Sequence, residues 1–171
     1  MARNGVDKVR HLPRALYRTS KQDKEVRFYS RYDKVWRTDI LWEAWRQVKA
    51  NQGAPGVDGM AIDEMVASGR EQARSEKLQE ALRKQRYRFA PVRVVEIPKP
   101  TGGTRLRGIA TVEDRIVQTA MTLVLEPIFE ADFHACSYGY RPKRDAKQAS
   151  GAIREDLYNR AWGVVEIDFK A

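Results

Sequence analysis

Several residue types that identify common classes of protein are scarce in this sequence of 171 residues. A single cysteine, Cys136, excludes an intrachain disulfide, and two distant histidines, His11 and His134, give no zinc-ligand spacing. No apolar run approaches the roughly 18 residues of a membrane span, and the amino terminus lacks the apolar segment of a signal peptide. We therefore expect a reduced, soluble, cytoplasmic protein without a membrane segment, in which carboxylates would hold any metal ion.

Acidic residues are outnumbered, and the imbalance lies at one end of the chain. There are 32 Lys and Arg against 23 Asp and Glu, a formal net charge of +9. Residues 1–37 hold 11 basic and 4 acidic side chains. Such a basic arm favours a polyanionic partner, and its interspersed aromatic residues suit RNA. A solvated helical face with a few packing aromatics is the alternative that composition leaves open.

The spacing of apolar residues predicts several helices around a core, because 42% of the chain is hydrophobic. The basic arm suits short amphipathic helices interrupted near Pro13 and Ser20. Longer helices are predicted from Thr38 or Asp39 to Ala50 and over about 70–86. A further helix is predicted to start in a capping box of Thr111 with Asp114 and to run along an apolar stripe to Pro127. After a loop at 130–143, a last helix is predicted, and the residues on its inward face are Ala149, Ala152, Ile153 and Leu157.

Two short alternating stretches, 92–97 and 104–109, predict a β-hairpin with a glycine-rich tip. The tip places Lys99 and Arg105 six residues apart across a tight turn, so both cations could converge on one anion. Arginine grips a phosphate in bidentate fashion, whereas lysine acts as a mobile point charge. An ordinary solvated turn is the alternative.

Three further segments contain residues that could carry chemistry. The loop at 51–59 holds three glycines and a proline, and is either a phosphate-binding lid or a connector. The segment 137–142 offers Tyr and Arg for stacking on nucleic acid. The last apolar run, 164–169, predicts a central strand with Asp168 near its end, where a carboxylate can hold Mg²⁺ beside a nucleotide triphosphate. One carboxylate does not complete a two-metal site, and a truncated cap is the alternative reading of Asp168.

Seven segments, taken in order, resemble the opening sequence blocks of group II intron-encoded reverse transcriptases. They are NQGAPGVDG at 51–59, RYRFAP at 86–91, IPKP at 97–100, GIATVEDR at 108–115, LEPIF at 125–129, SYGYRP at 137–142 and VVEIDFK at 164–170. The resemblance as a whole covers the chain from about residue 30 to its end. Two departures from the usual pattern are Ala110, where a proline is common, and Arg107 within the second strand of the hairpin.

The resemblance implies an α+β fold in three parts: a basic helical amino-terminal extension with the glycine-rich loop (1–62), the fingers of a reverse transcriptase with an antiparallel hairpin and packed helices (63–163), and the first strand of a truncated palm (164–171). It implies that Lys99 and Arg105 contact the incoming nucleotide, and that Asp168 is the first of three catalytic aspartates that bind Mg²⁺. The residues expected near template and primer are Gly53, Ala54, Pro55, Gly56, Val57, Asp58, Gly59 and Arg141.

The same resemblance implies an RNA-directed DNA polymerase and maturase of a bacterium, with intron RNA, an RNA template with its DNA primer, and dNTPs as partners. The arm residues expected to bind intron RNA are Arg10, Arg14, Arg18, Lys21 and Lys24. We expect these 171 residues alone not to polymerise. The exposed edge of the strand at 164–169 is expected to cause self-association or local disorder. Two alternatives are a noncatalytic RNA-binding, maturase-like module and a related reverse transcriptase serving phage defence or a CRISPR locus.

Overall fold

A computed structural model describes residues 3–23, 32–100, 102–159, 163 and 165–167, with side chains from residue 11 onward. The chain forms two compact units, Met1–Ala131 and Asp132–Ala171. The elements are α1 (Arg3–Gln22), α2 (Tyr32–Val35), α3 (Thr38–Asn51), α4 (Ile62–Ala67), α5 (Glu71–Arg83), β1 (Arg93–Pro98), β2 (Thr104–Ile109), α6 (Val112–Asp132) and α7 (Ala146–Tyr158). Helices with one small antiparallel sheet are compatible with the predicted α+β class. The boundaries expected after residues 62 and 163 remain predictions.

The core of the first unit is formed by the apolar stripes of its helices. In α3 the buried residues recur every three or four positions, as predicted, and Trp45 is buried while Trp42 is about one third exposed. Leu78 and Leu82 of α5 are buried, and α4, which was not predicted, buries Ile62 and Met65. The largest stripe lies on α6 and consists of Val112, Ile116, Val117, Ala120, Val124 and Ile128. Burial of each such side chain stabilises the fold by about 1.5–3 kcal/mol.

The first helix is continuous, so the predicted interruption near Pro13 and Ser20 is wrong. Proline lacks an N–H and removes one bond from the helical ladder. Leu16 is nevertheless buried in the core and Leu12 packs against it, on either side of Pro13. This packing holds both turns on the core and outweighs the lost backbone bond. Near the end of the helix, the Nζ of Lys21 donates to the carbonyl of Ala131 at 3.3 Å.

The hairpin forms where it was predicted. β1 and β2 are antiparallel, with Arg93 opposite Ile109. At the tip, the amide of Lys99 donates to the carbonyl of Gly103 at 3.0 Å, and the amide of Gly102 donates back to the carbonyl of Lys99 at 3.1 Å. The φ angles of Gly102 and Gly103 are +88° and +81°. Residues with a Cβ rarely adopt such angles, so the two glycines permit this turn.

The sixth helix begins as predicted and extends further. The amide of Asp114 donates to the hydroxyl of Thr111 at 3.1 Å, which caps the first turn. The helix passes through Pro127 and ends at Asp132, and Ile128 and Ala131 are buried beyond the proline. As in α1, apolar packing after the proline keeps the chain helical. Within the described ranges, no helix has the length and apolar character needed to cross a bilayer.

In the second unit, α7 is present but the burial predicted for it is not. The carboxylate of Asp145 caps the helix by accepting from the amide of Gln148 at 2.8 Å. Along the predicted inward face, Ile153 and Leu157 are exposed, and none of the residues of α7 is buried within this structure. The predicted strand at 164–169 lies partly outside the described residues, and its described positions 165–167 are exposed and form no strand. A strand requires a partner, and the described part of this unit pairs no segment with them.

Candidate nucleic-acid interface

One face of the hairpin carries arginines that each lie opposite an apolar residue. The cross-strand pairs are Arg93 with Ile109, Arg107 with Val95, and Arg105 with Ile97. Directly paired residues project to the same side of a sheet, and side chains alternate along each strand, so these arginines share one face. Val95 and Ile97 are only half-exposed although the arginines opposite them are exposed. Aliphatic arginine stems cover such apolar residues while the guanidinium groups stay in water. We call this side of the hairpin the arginine face.

The arginine face lacks an acidic counterpart. Glu96 is the acidic residue of the hairpin and is paired with Leu106. Because side chains alternate along a strand, Glu96 projects to the opposite face. Lys99 lies two residues beyond Ile97, and the same alternation assigns it to the arginine face. None of the ion pairs found in the described ranges involves Lys99, Arg105 or Arg107. An uncompensated cluster of this kind attracts phosphate groups.

Arginines also hold the glycine-rich loop in place. Arg93 donates from Nε and Nη2 to the carbonyl oxygen of Pro55, at 3.0 and 2.8 Å. Arg115, in the first turn of α6, donates from Nη2 to the carbonyl oxygen of Ala54 at 2.9 Å. Two consecutive backbone carbonyls are thus bound by side chains from the hairpin and from α6. The loop is thereby fixed at the Arg93 end of the arginine face.

Close packing explains why the loop needs glycine. A Cβ added to Gly56 would lie 2.7 Å from the Cα of Thr111 and 2.8 Å from its backbone nitrogen. A Cβ on Gly53 would overlap the guanidinium group of Arg115. Gly59 has a φ of +69°, and the exposed Asp58 accepts from the amide of Met60 at 3.3 Å. The loop therefore lies directly on the start of α6 through Gly56, while Val57, Asp58 and Gly59 face solvent.

A buried carboxylate connects both ends of the hairpin. Asp114 is 2% exposed, and its Oδ1 accepts from the hydroxyl of Tyr87 at 2.6 Å. Its Oδ2 accepts from the hydroxyl of Thr111 at 2.8 Å and from the amide of Ala90 at 3.2 Å. Tyr87 and Ala90 precede β1, whereas Thr111 follows β2. Burial first, and then the bond to Asp114, raise the pKa of Tyr87 well above its ordinary value.

The basic arm presents part of its charge on one side of α1. Arg14, Arg18 and Lys21 recur at helical spacing, all are exposed, and Tyr17 among them is 39% exposed. Leu16 and Ser20 occupy the opposite, buried side. The side chain of Arg10 and all of Lys24, which were also predicted to bind RNA, lie outside the described residues. The arm is thus an amphipathic helix with a basic, aromatic outer face.

In the second unit, the predicted template contact Arg141 binds its own loop. Its Nη1 donates to the carbonyls of His134 and Ser137, both at 2.8 Å, and its guanidinium carbon lies 5.2 Å from the centre of the Phe133 ring. Asp168 lies outside the described residues. Among the residues that the structure describes, no group of three or more His, Cys, Asp or Glu could hold a metal ion. The described residues by themselves therefore do not fit a magnesium site.

Nothing in the sequence pattern indicated that Arg93 and Arg115 bind the loop or that Asp114 links the hairpin ends. Arg93 shares the face of Val95 and Ile97 with Arg105 and Arg107, so its place in the alternation did not distinguish it from those two arginines. Its partner, the carbonyl of Pro55, lies 38 residues earlier in the chain and became apparent only in the structure.

Comparison with known proteins gives the family. No protein-family model matches the chain. The protein YkfC of Escherichia coli K12 is 34% identical over 151 residues, which are 87% of this chain and 39% of the relative. The group II intron-encoded protein LtrA of Lactococcus lactis subsp. cremoris is 30% identical over 156 residues, 91% of this chain and 25% of the relative. The chain belongs to the group II intron-encoded proteins.

Membership in the group II intron-encoded proteins confirms the resemblance drawn from the seven ordered segments. A shorter similarity extends to the mitochondrial nuclear intron maturase 2 of Arabidopsis thaliana, 38% identical over 52 residues, 30% of this chain and 7% of the relative. The chain spans about two fifths of the length of YkfC and a quarter of that of LtrA. The site of this group II intron-encoded protein therefore corresponds to only a part of each of these longer relatives.

Proposed function

We propose that this chain is the amino-terminal part of a bacterial group II intron reverse transcriptase, an RNA-directed DNA polymerase that also binds its intron RNA. The observation that carries the proposal is the uncompensated arginine face beside an anchored glycine-rich loop. In the proposed enzyme, Lys99 and Arg105 bind the triphosphate of the incoming dNTP. The loop at 53–59 and Arg141 lie along the RNA template and DNA primer.

The proposed contacts follow from the chemistry of the two cations. Arginine has a planar fork of donors that matches two phosphate oxygens, and lysine adds a compact charge that follows the phosphate as it moves. Arg105 is exposed and lies opposite Ile97, so its aliphatic stem has an apolar neighbour. Its guanidinium group takes part in none of the ion pairs found in the described ranges. In polymerisation the protein mainly positions the reacting groups and stabilises charge.

Magnesium enters this proposal only through the longer protein. Mg²⁺ supplies charge stabilisation at the transferred phosphate and alignment of the attacking hydroxyl. Asp168 would provide one carboxylate ligand, and the other carboxylates would come from residues beyond this chain.

The nucleotide contact is tested with Arg105→Ala in a longer protein that extends primers. We expect the KM for dNTP to rise about tenfold or more, because one charge-assisted hydrogen bond is lost, while RNA affinity stays unchanged. Steady-state primer extension over a range of dNTP concentrations measures this. Arg83→Ala, which removes an exposed arginine from α5, is the matched control. An unchanged KM in Arg105→Ala would remove Arg105 from the nucleotide site.

A second candidate function is a noncatalytic, maturase-like RNA-binding module. The basic outer face of α1 favours it, because that surface needs no polymerase chemistry to bind a structured RNA. Primer extension by the longer protein discriminates between the two candidates, since a pure binding module would show none. Both share the proposal that the α1 face contacts intron RNA.

That contact is tested in the 171-residue chain with the double variant Arg14→Gln, Arg18→Gln. Each lost phosphate contact is expected to reduce the slope of log K against log salt concentration by about 0.7–0.9. Binding of structured intron RNA is measured by fluorescence anisotropy across a salt series. Lys77→Gln with Arg83→Gln removes the same charge from α5 as a control. Equal slopes in both double variants would exclude the α1 face from the RNA interface.

A further inference from the structure

We propose that Arg107 is an additional phosphate-binding residue of the arginine face, and that it takes a phosphodiester of a single-stranded nucleic acid lying along β2. The inference rests on the proposed function, to which it adds one contact and its ligand class.

The position of Arg107 suits a phosphate contact. It is exposed and lies opposite the half-exposed Val95, so its stem has an apolar support while its guanidinium group faces water. Arg107 takes part in none of the ion pairs found in the described ranges. The acidic residue nearest in the hairpin, Glu96, lies on the other face. A supported, uncompensated arginine of this kind has its full charge available to a ligand.

The spacing of the arginine face selects the kind of ligand. Arg105 and Arg107 are two residues apart on one strand, which corresponds to about 6.8 Å at about 3.4 Å per residue. Neighbouring phosphates of a triphosphate share one bridging oxygen and are much closer together than this. A phosphate bound at Arg107 therefore lies beyond the triphosphate proposed for Arg105. Phosphodiesters, which are separated from their neighbours by a whole sugar, suit such a distance.

The residues at the two ends of the arginine face indicate the path that the polynucleotide backbone would take across the hairpin. Lys99 and Arg105 lie toward the tip, where the dNTP triphosphate is proposed to bind. Arg93, at the other end, is occupied by the carbonyl of Pro55 and holds the loop at 53–59. Arg107 lies between them. A strand that passes from the nucleotide site toward the glycine-rich loop therefore meets Arg107 with one phosphate.

The test uses the 171-residue chain and a fluorescein-labelled, unstructured oligouridylate, with binding measured by anisotropy across a potassium chloride series. Arg107→Gln is expected to reduce the salt slope by about 0.7 and to weaken binding about fivefold at 0.1 M salt. Arg107→Lys keeps the charge and is expected to keep the wild-type slope. Arg83→Gln removes the same charge from α5 and is expected to change the slope less than Arg107→Gln. Unlabelled tripolyphosphate is added as a competitor that carries adjacent phosphates without sugars.

The outcomes separate this inference from the function on which it rests. If the wild-type chain fails to bind the unstructured oligonucleotide, the role of Arg107 is overturned, while the proposed binding of structured intron RNA by α1 is decided by its own salt series. If the wild type binds and Arg107→Gln has the wild-type slope, Arg107 only covers Val95, and the proposed function stands without it. If tripolyphosphate displaces the oligonucleotide from the wild type but not from Arg107→Gln, the ligand is a nucleotide tail and the assignment to a phosphodiester is wrong. Thermal unfolding of each variant, followed by circular dichroism, shows whether the fold is retained.

Discussion

Asp114→Ala is expected to lower the free energy of unfolding by about 3–5 kcal/mol, which is a large part of the stability of a typical domain. The substitution leaves the hydroxyl of Tyr87, the hydroxyl of Thr111 and the amide of Ala90 without their acceptor. That acceptor is the carboxylate of Asp114, a residue that is only 2% exposed. Each buried donor that loses its partner costs about 1–3 kcal/mol. Urea unfolding followed by circular dichroism measures the change.

Two further variants make this expectation specific. Asp114→Asn keeps one acceptor oxygen and is expected to give an intermediate loss. Glu113→Ala changes the neighbouring residue, whose side chain is 45% exposed and 3.4 Å from Arg74, and is expected to cost about 1 kcal/mol or less. A loss in Asp114→Ala no greater than that in Glu113→Ala would mean that the carboxylate does not hold the hairpin ends.

The raised pKa of Tyr87 sets the pH range over which this bond contributes. A tyrosine whose folded pKa exceeds its unfolded value adds stability that is fully present below the unfolded pKa, about 10, and is lost as pH rises through the folded pKa. The bond from Tyr87 to Asp114 therefore persists at neutral pH. The difference between the wild type and Asp114→Ala is best measured there, where the phenol is fully protonated.

The second large effect is expected for Asp168→Asn in a longer protein with primer-extension activity. Asparagine keeps the size of the side chain and removes the charge with which a carboxylate binds Mg²⁺. Because a metal ion contributes several kcal/mol of transition-state stabilisation, we expect extension to fall at least about a hundredfold. Affinity for intron RNA should remain at the wild-type value. Primer extension and RNA anisotropy on the same preparations measure the two properties.

A neighbouring carboxylate provides the control for Asp168. Glu166 shares the predicted strand face with Asp168, and Glu166→Gln removes the same charge nearby. We expect Glu166→Gln to retain extension, because Asp168 and not Glu166 is the residue proposed to bind the metal. If Asp168→Asn and Glu166→Gln lose extension equally, or if Asp168→Asn loses RNA binding as well, the assignment of Asp168 to the metal site is wrong.

The elements that could be predicted from the sequence are those specified by local patterns. The alternation of residues predicted β1 and β2, the glycines between the two stretches predicted the tip, and Thr111 with Asp114 predicted the start of α6. Each of these signals lies within a few residues of the structure it determines. The proximity of Lys99 and Arg105 could likewise be predicted from the sequence, because the two residues flank one turn.

The features that could not be predicted depend on contacts between distant residues. Pro13 and Pro127 suggested breaks, yet packing of Leu16 and Ile128 on the core keeps both helices intact. Arg93 binds the carbonyl of Pro55, 38 residues away, and a local pattern carries no information about such a partner. In α7 the apolar stripe predicted burial, but none of the residues of the helix is buried. An apolar stripe leads to burial only where a partner surface is present.

The way in which Arg93 and Arg115 hold the glycine-rich loop has a consequence for how the loop can change. Both arginines bind backbone carbonyls, which every amino acid provides, rather than the side chains of Ala54 and Pro55. The attachment is therefore indifferent to the identity of the residues at these two positions. Within the loop, the exposed residues 57 and 58 are likewise independent of the anchor. Substitutions on the solvent side of the loop are therefore expected to change its exposed surface while its position on the protein is preserved.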